Sequence, residues 1–528
     1  MSESPKLKYH TMRWSIRQAR RVTSGVGGLL LLFVVGFALY AWVVNARGNR
    51  AMHRIQHELK KRELFDLYPN HLAGVGSWGV DVESGTAAAY WRAAMDAEPV
   101  AGERPLLSVG TVMVANIEPK QQYHPDMVAA LRDVFETYPR FLQLVDDARK
   151  VKPGALNLIE KSYDPYSSLD VLGGTRSVAR WLEERARLAE VESDGETFVH
   201  CFVSILDLSH LLSKEPHVIS ALVSTSIDAL ASDGIEQGLS RIKLNTAQLD
   251  QLLEALTRCH QSIDLIKLMA DDLSQQYHIV GSDIQAHFKQ YESRQSLFTQ
   301  HLLQQDPEWA NDIEEPSTIT LLWRDLLLST CPGRYELRHA KALDRQISDY
   351  DGLLKRQDQP AQRWAWMTTT IEERKRESDE DEDDDFRQIQ SNDYLTIART
   401  LMRMETRLVV LIAALQAERY RVENDQWPSK LIDATSKPAQ DAYGQALRYL
   451  KTDDGVMLYS LGGNALDDDG YGQWDQDVPD KYLDPDDYAV NLYRPEERNS
   501  LPPPTEAIEP ESDYDELWIE EEPANEED

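Results

Sequence analysis

The chain has 528 residues, with 56 Lys and Arg against 89 Asp and Glu, a formal net charge of −33. So acidic a composition excludes non-specific nucleic-acid binding, which comes from Lys and Arg neutralising phosphates. Three cysteines exclude a disulfide-rich scaffold, while 42% hydrophobic residues suffice for a packed core.

The charge is uneven along the chain. Residues 1–21 carry six Lys and Arg against Glu3, and form a basic head. Residues 22–46 follow without a single charge. At 1.5 Å per residue this stretch crosses a hydrocarbon core of ~30 Å, and Tyr40 and Trp42 stand near one end, where amphipathic rings favour the interface. A cleaved signal peptide would have a shorter apolar region and a small-residue cleavage site, so a membrane anchor is expected. Arg47, Arg50, Arg54, Lys60, Lys61 and Arg62 nearly balance the head. N-terminus inside is still preferred, because a short head needs no translocation. The expected location is the cytoplasmic membrane, single-pass, with the bulk of the chain on the outer side. No second charge-free run of this length is found.

The body reads as helices. A polar helix leaves the membrane over 58–67. Ser84-Gly85-Thr86 opens an Ala-rich helix at an N-cap candidate. Over 124–148, Met127, Leu131, Val134, Phe135, Phe141 and Val145 recur at three- and four-residue spacing, and Pro139 should kink or split the helix. Two helices are expected over 175–212, turning at Ser193-Asp194-Gly195. A third is expected from Pro216 to Gly234, a fourth over 249–269 and a further helical stretch over 297–328. The result is an array of helical hairpins. No fixed repeat period indicates a solenoid.

Few motifs carry chemistry. Gly74-Val75-Gly76-Ser77-Trp78-Gly79 matches a dinucleotide fingerprint in letters, but no strand precedes it, so it reads as a loop. His53 and His57 have the i, i+4 spacing of a metal pair, yet lie in a basic juxtamembrane stretch. Cys201, Cys259 and Cys331 lack the short pairing of structural zinc and read as buried residues of helices, with one disulfide among the three left open. Between 377 and 385 eight of nine residues are acidic, and 501–528 carries twelve acids and no base, the pattern of a solvated linker and tail.

The C-terminal third is more distinctive. A helix over 392–416 continues to Tyr420 and the Asn424-Asp425-Gln426-Trp427-Pro428 turn. Asp441-Ala442-Tyr443-Gly444 follows. Two apolar pieces around Asp453-Asp454-Gly455 read as a β-hairpin, and Leu458-Tyr459-Ser460-Leu461-Gly462 leads into Asn464-Ala465-Leu466-Asp467-Asp468-Asp469. In order and spacing these motifs resemble the globular part of the major pseudopilin of type II secretion, over about 80 residues of 528. The resemblance implies a helix packed on a small antiparallel sheet, with structural calcium held by the Leu461 carbonyl, Asn464, Asp467 and Asp469. Calcium takes six to eight oxygen ligands, and this loop is rich in them. Pseudopilins place their apolar helix directly before this module. Here Gly36-Phe37 lies inside the apolar run, Ala41 stands where the family has Glu, and some 350 residues intervene, so a filament subunit is not expected. The whole layout resembles a group of uncharacterised membrane-anchored proteins of planctomycete bacteria.

The expected architecture is mainly α: a basic cytoplasmic head (1–21), a transmembrane helix (22–46), a membrane-proximal helical region (47–170), a helical-hairpin body (171–375), an acidic linker (376–390), a pseudopilin-like α+β module (391–475) and an acidic disordered tail (476–528). The expected function is that of a non-enzymatic interaction or scaffold protein of the cell envelope. Its partners would be the membrane and an envelope protein, not nucleic acid. The alternative is an envelope hydrolase with a carboxylate active site in the helical body. A deep polar pocket holding a carboxylate of raised pKa would favour the enzyme; a long groove or large apolar patch would favour the scaffold.

Overall fold

The computed structural model describes residues 35, 37–65, 85–97, 120–152, 167–215, 218–260, 264–282, 332–379, 394–470, 487–498 and 500–503. Among these the chain is mainly helical, with 13 helices and one three-stranded sheet. The helices are α1 (37–61), α2 (Ala87–Asp96), α3 (Pro125–Thr137), α4 (Pro139–Arg149), α5 (Ser167–Glu192), α6 (Gly195–Leu212) and α7 (Val218–Leu239). They continue as α8 (Thr246–His260), α9 (Leu265–Ser282), α10 (Pro332–Leu354), α11 (Pro360–Asp379), α12 (Tyr394–Asn424) and α13 (Leu431–Thr435). The strands are β1 (Arg448–Lys451), β2 (Gly455–Ser460) and β3 (Tyr488–Tyr493). The segments 1–34, 74–79, 297–328, Cys331, 380–390 and 504–528, on which several expectations rest, lie outside the described residues.

The chain divides into two compact units, Met1–Asp66 with Ser274–Arg345, and Leu67–Leu273 with Gln346–Asp528. In the first, Val35, Leu39, Trp42 and Val43 are exposed, Trp42 by 70%, while Ile55 and Leu59 further along α1 are fully buried. His53 and His57 are exposed. The Phe65 ring lies 5.5 Å from Tyr277 and 4.8 Å from His278, and its carbonyl accepts hydrogen bonds from Ser274 and His278.

In the second unit local chemistry sets most helix boundaries. Thr86 caps α2 by accepting from the Ala89 N–H. Pro139 splits the 124–148 helix at Tyr138, as the fixed proline ring and missing N–H require. Ser193 turns the chain at φ 54°, and Asp194 caps α6 through the Thr197 N–H at 3.0 Å. Asn245 and Gln248 form a reciprocal capping box on α8. The single helix expected over 249–269 is two helices. Asp264 accepts from the Lys267 N–H and starts α9 anew.

The third helix does not stop at Gly234 but runs to Leu239. Its glycines serve packing. A Cβ on Gly234 would stand 2.4 Å from the Phe202 ring, and one on Gly238 2.2 Å from Phe198, so the bare backbone receives both rings of α6. Helix α7 is also long and apolar enough to cross a membrane, although it is not N-terminal. It differs from 22–46 in carrying Asp228, Asp233 and Glu236. It packs against α5, α6 and α12, and Asp228 is only 2% exposed, so here it serves as a core helix of the bundle.

A buried polar network joins α5 to its neighbours. Tyr123 donates to Glu190 at 2.7 Å, Arg241 lies 3.6 Å from Glu190, and Arg187 reaches Glu183 at 2.6 Å and Glu184 at 3.1 Å. Burial pushes Glu184 up to about 7, against the attraction of Arg187.

The sheet has the order β1-β2-β3, antiparallel throughout, with Tyr449 opposite Leu458 and Leu458 opposite Val490. The expected hairpin around 453–455 is therefore present. Gly455 is required: a Cβ there would fall 1.8 Å from the Leu492 carbonyl oxygen. Val456, Leu458, Val490 and Leu492 bury one face in the same apolar cluster that holds Phe198, Leu208 and Leu411. The 391–475 segment and the helical body thus share one core. The third strand lies within 476–528, which was expected to be acidic tail. The Val490/Leu492 alternation buries it. Just beyond, Arg498 donates to Glu418 of α12 at 2.6 Å and to the Ile242 carbonyl at 2.9 Å, with both charged side chains inaccessible.

Candidate functional site

The Asp441–Gln445 turn and the end of β2 meet in space. Asp441 accepts from the N–H groups of Tyr443 and Gln445 and from the Ser460 hydroxyl, at 3.0, 2.8 and 2.6 Å. Ser460 accepts in turn from the Gly462 N–H, and the Gln445 amide donates to the Gly462 carbonyl. The Ala442 N–H donates to Thr406 and ties the turn to α12. The short acidic and small residues are thus accounted for by closing the end of β2 onto the 441–445 turn.

The loop beyond holds the candidate ligands. Leu461 is buried. Asn464 accepts from the Leu466 N–H and donates to Asp468 at 3.2 Å. Asp467 is exposed, accepts from the Tyr459 hydroxyl and the Asp469 N–H, and lies 3.9 Å from Arg448. Asp469 is exposed with φ 56°. Asn464 and Asp467 therefore engage local partners, and no group of three or more His, Cys, Asp or Glu among the described residues is arranged to hold a metal. Two residues outside the expected set stand at the loop. Asp468 is buried, and Asp487, 4% exposed, accepts from the N–H groups of Asp468 and Gly470 at 3.0 and 2.9 Å. Its other oxygen is buried without a partner. Burial pushes Asp487 up to about 7, the Asp468 and Asp467 charges adding to the effect and the two N–H bonds opposing it. The all-oxygen donors and the orphaned Asp487 oxygen suit a hard cation in kind. Asp487 is 18 residues beyond Asp469, and only the apolar alternation that follows it marks it in the sequence.

The second feature is a cavity of about 530 Å³ in the helical body. It lies where α7 and the end of α8 face α11 and α12. Three buried polar atoms on residues lining it have no hydrogen-bond partner: Asp228 Oδ1, His260 Nδ1 and Arg363 Nε. Burial pushes Asp228 up to about 7, opposed by hydrogen bonds from Ser209 and Cys259. Burial pushes Arg363 down, opposed by the Glu405 charge. The Cys259 thiol, 3% exposed, also lies 3.4 Å from the Leu206 carbonyl oxygen, and burial holds its pKa well above the usual thiol range. Cys201 is likewise buried and free. Met402, Met404 and Leu408 of α12 form an apolar wall. A lone acid among apolar and small residues, Ser224-Thr225-Ser226-Ile227-Asp228-Ala229-Leu230, is the sequence signal for this site.

No family model, curated protein or solved structure matches the chain.

Proposed function

We propose that the protein is a single-pass, membrane-anchored interaction or scaffold protein of the bacterial cell envelope, with its N-terminus inside and a pseudopilin-like C-terminal module stabilised by calcium. The observation carrying this reading is the exposed apolar set Val35, Leu39, Trp42 and Val43, which lies within the charge-free run of 22–46 and leads into α1. Such a set is favourable in lipid and costly in water. The helical array supplies surface for an envelope partner. The joined 441–445 turn and β2 end support the pseudopilin resemblance, and the oxygen-rich loop supports calcium at the Leu461 carbonyl, Asn464, Asp467 and Asp469. The Asp468 and Asp487 carboxylates add negative potential there.

Calcium is expected to raise the melting temperature of the full-length protein in detergent, and Asp467→Ala to remove the rise. No shift in the unsubstituted protein would sink the calcium site. Recovery of a defined envelope protein with the intact chain from crosslinked membranes tests the interaction role, and recovery of nothing would count against it.

The second reading, an envelope hydrolase, is favoured by the Asp228 cavity. It is polar, lies within the helical body and holds a carboxylate raised to about 7, a value suited to general acid–base work. Turnover of an envelope polymer without partner recovery would establish this second reading.

A further inference from the structure

The cavity makes a demand of its own. A buried polar atom without a partner costs about 1–3 kcal/mol, and Asp228, His260 and Arg363, which line the cavity, each carry one. The volume of about 530 Å³ falls within the range of small-molecule sites, well above that of a single water. The charges facing it are unequal: the carboxyls of Asp228, Asp264, Asp358 and Glu405 stand against Arg363 and His260. Arg363 is offset by Glu405. Asp264 and Asp358 are exposed and leave the approach acidic, while Asp228, 2% exposed, lines the cavity and its Oδ1 has no partner. Acidic walls around a low-dielectric space favour a cation. The methionine and leucine wall of α12 favours an apolar body, and thioethers adapt to varied shapes.

We infer that this cavity binds a small primary amine, its ammonium received by Asp228 and its apolar portion lying on Met402, Met404 and Leu408. A wholly apolar molecule would leave Asp228 Oδ1 without a partner. An alcohol could donate one hydrogen bond but would not neutralise the acidic approach. A carboxylate would be repelled by it. The site rests on the cavity alone, and neither calcium binding nor hydrolysis is needed for it.

Titration calorimetry of the full-length protein in detergent, with phenethylamine as probe, tests the assignment. Phenethylamine is expected to bind, and 2-phenylethanol and phenylacetate to bind about tenfold more weakly or worse, as a site built for a charged donor rejects analogues lacking it. Asp228→Asn keeps the shape and removes the charge, and is expected to weaken phenethylamine about tenfold. Met404→Trp fills the space and is expected to abolish binding. No phenethylamine binding, the mark of a cavity holding water only, overturns the inference. So does equal binding of the alcohol, or affinity undiminished in both variants.

Discussion

Asp228→Asn is expected to stabilise the protein at pH 7 and to change it little at pH 4. The wild-type carboxyl is raised to about 7 by burial, whereas an unfolded aspartate titrates near ~4. The folded state therefore holds this proton more tightly than the unfolded chain. The stability linked to the proton is fully present below about pH 4 and is lost as pH rises towards about 7. Asparagine carries no such dependence. The variant's advantage should be near zero in acid, grow through pH 5 and 6, and level off above 7. Three units at 1.36 kcal/mol each set a ceiling of about 4 kcal/mol, and a gain of about 1–3 is expected. Glu184, also raised to about 7, contributes equally to both proteins and cancels in the difference. Denaturant unfolding at pH 4, 5, 6 and 7 checks this. A difference independent of pH would show that Asp228 titrates normally.

Arg498→Ala should act in the opposite direction and more strongly. Arg498 and Glu418 are both inaccessible, and Glu418 also accepts from Arg421 at 2.8 and 2.9 Å. Burial alone would raise the Glu418 pKa, but the two guanidinium groups more than offset it and hold it below the usual range. Removing Arg498 leaves a buried carboxylate short of one partner and orphans the Ile242 and Tyr493 carbonyls. Breaking such a pair costs about 3–5 kcal/mol. Glu418→Gln with Arg498→Met should recover part of the loss, because removing both charges leaves neither uncompensated. Urea unfolding measures both variants, and a loss under about 1 kcal/mol for Arg498→Ala would remove the clamp from the account.

Local chemistry was legible in the sequence; convergence was not. Thr86 and Asp194 set boundaries through bonds to residues three positions away and Pro139 through its ring and missing N–H, and those boundaries are observed. Asp264 carries the same kind of signal, masked by the apolar pattern on either side of it. Gly234 was expected to end a helix because glycine disfavours helices by about 1 kcal/mol. Its reason is a ring on another helix, which no local window contains. The alternation in Tyr488-Ala489-Val490-Asn491-Leu492-Tyr493 was readable, but the surrounding acids concealed it. The oxygen-rich run Asn464 to Asp469 is local and readable as such. Asp487 and the cavity were not, since Asp228, His260 and Arg363 meet only once four helices have packed.

The last strand and its arginine also set an order of events. Tyr488 donates to Glu236, 252 residues earlier, and Arg498 to the Ile242 carbonyl, 256 residues earlier. A ribosome that has made α5 to α8 has produced a helical array lacking β3 and the cation that Glu418 requires. Contacts so distant in sequence form late, because the connecting loop's entropy must be lost before they contribute. The contacts of β3 and Arg498 can therefore complete the core of this unit only after residue 498 has emerged.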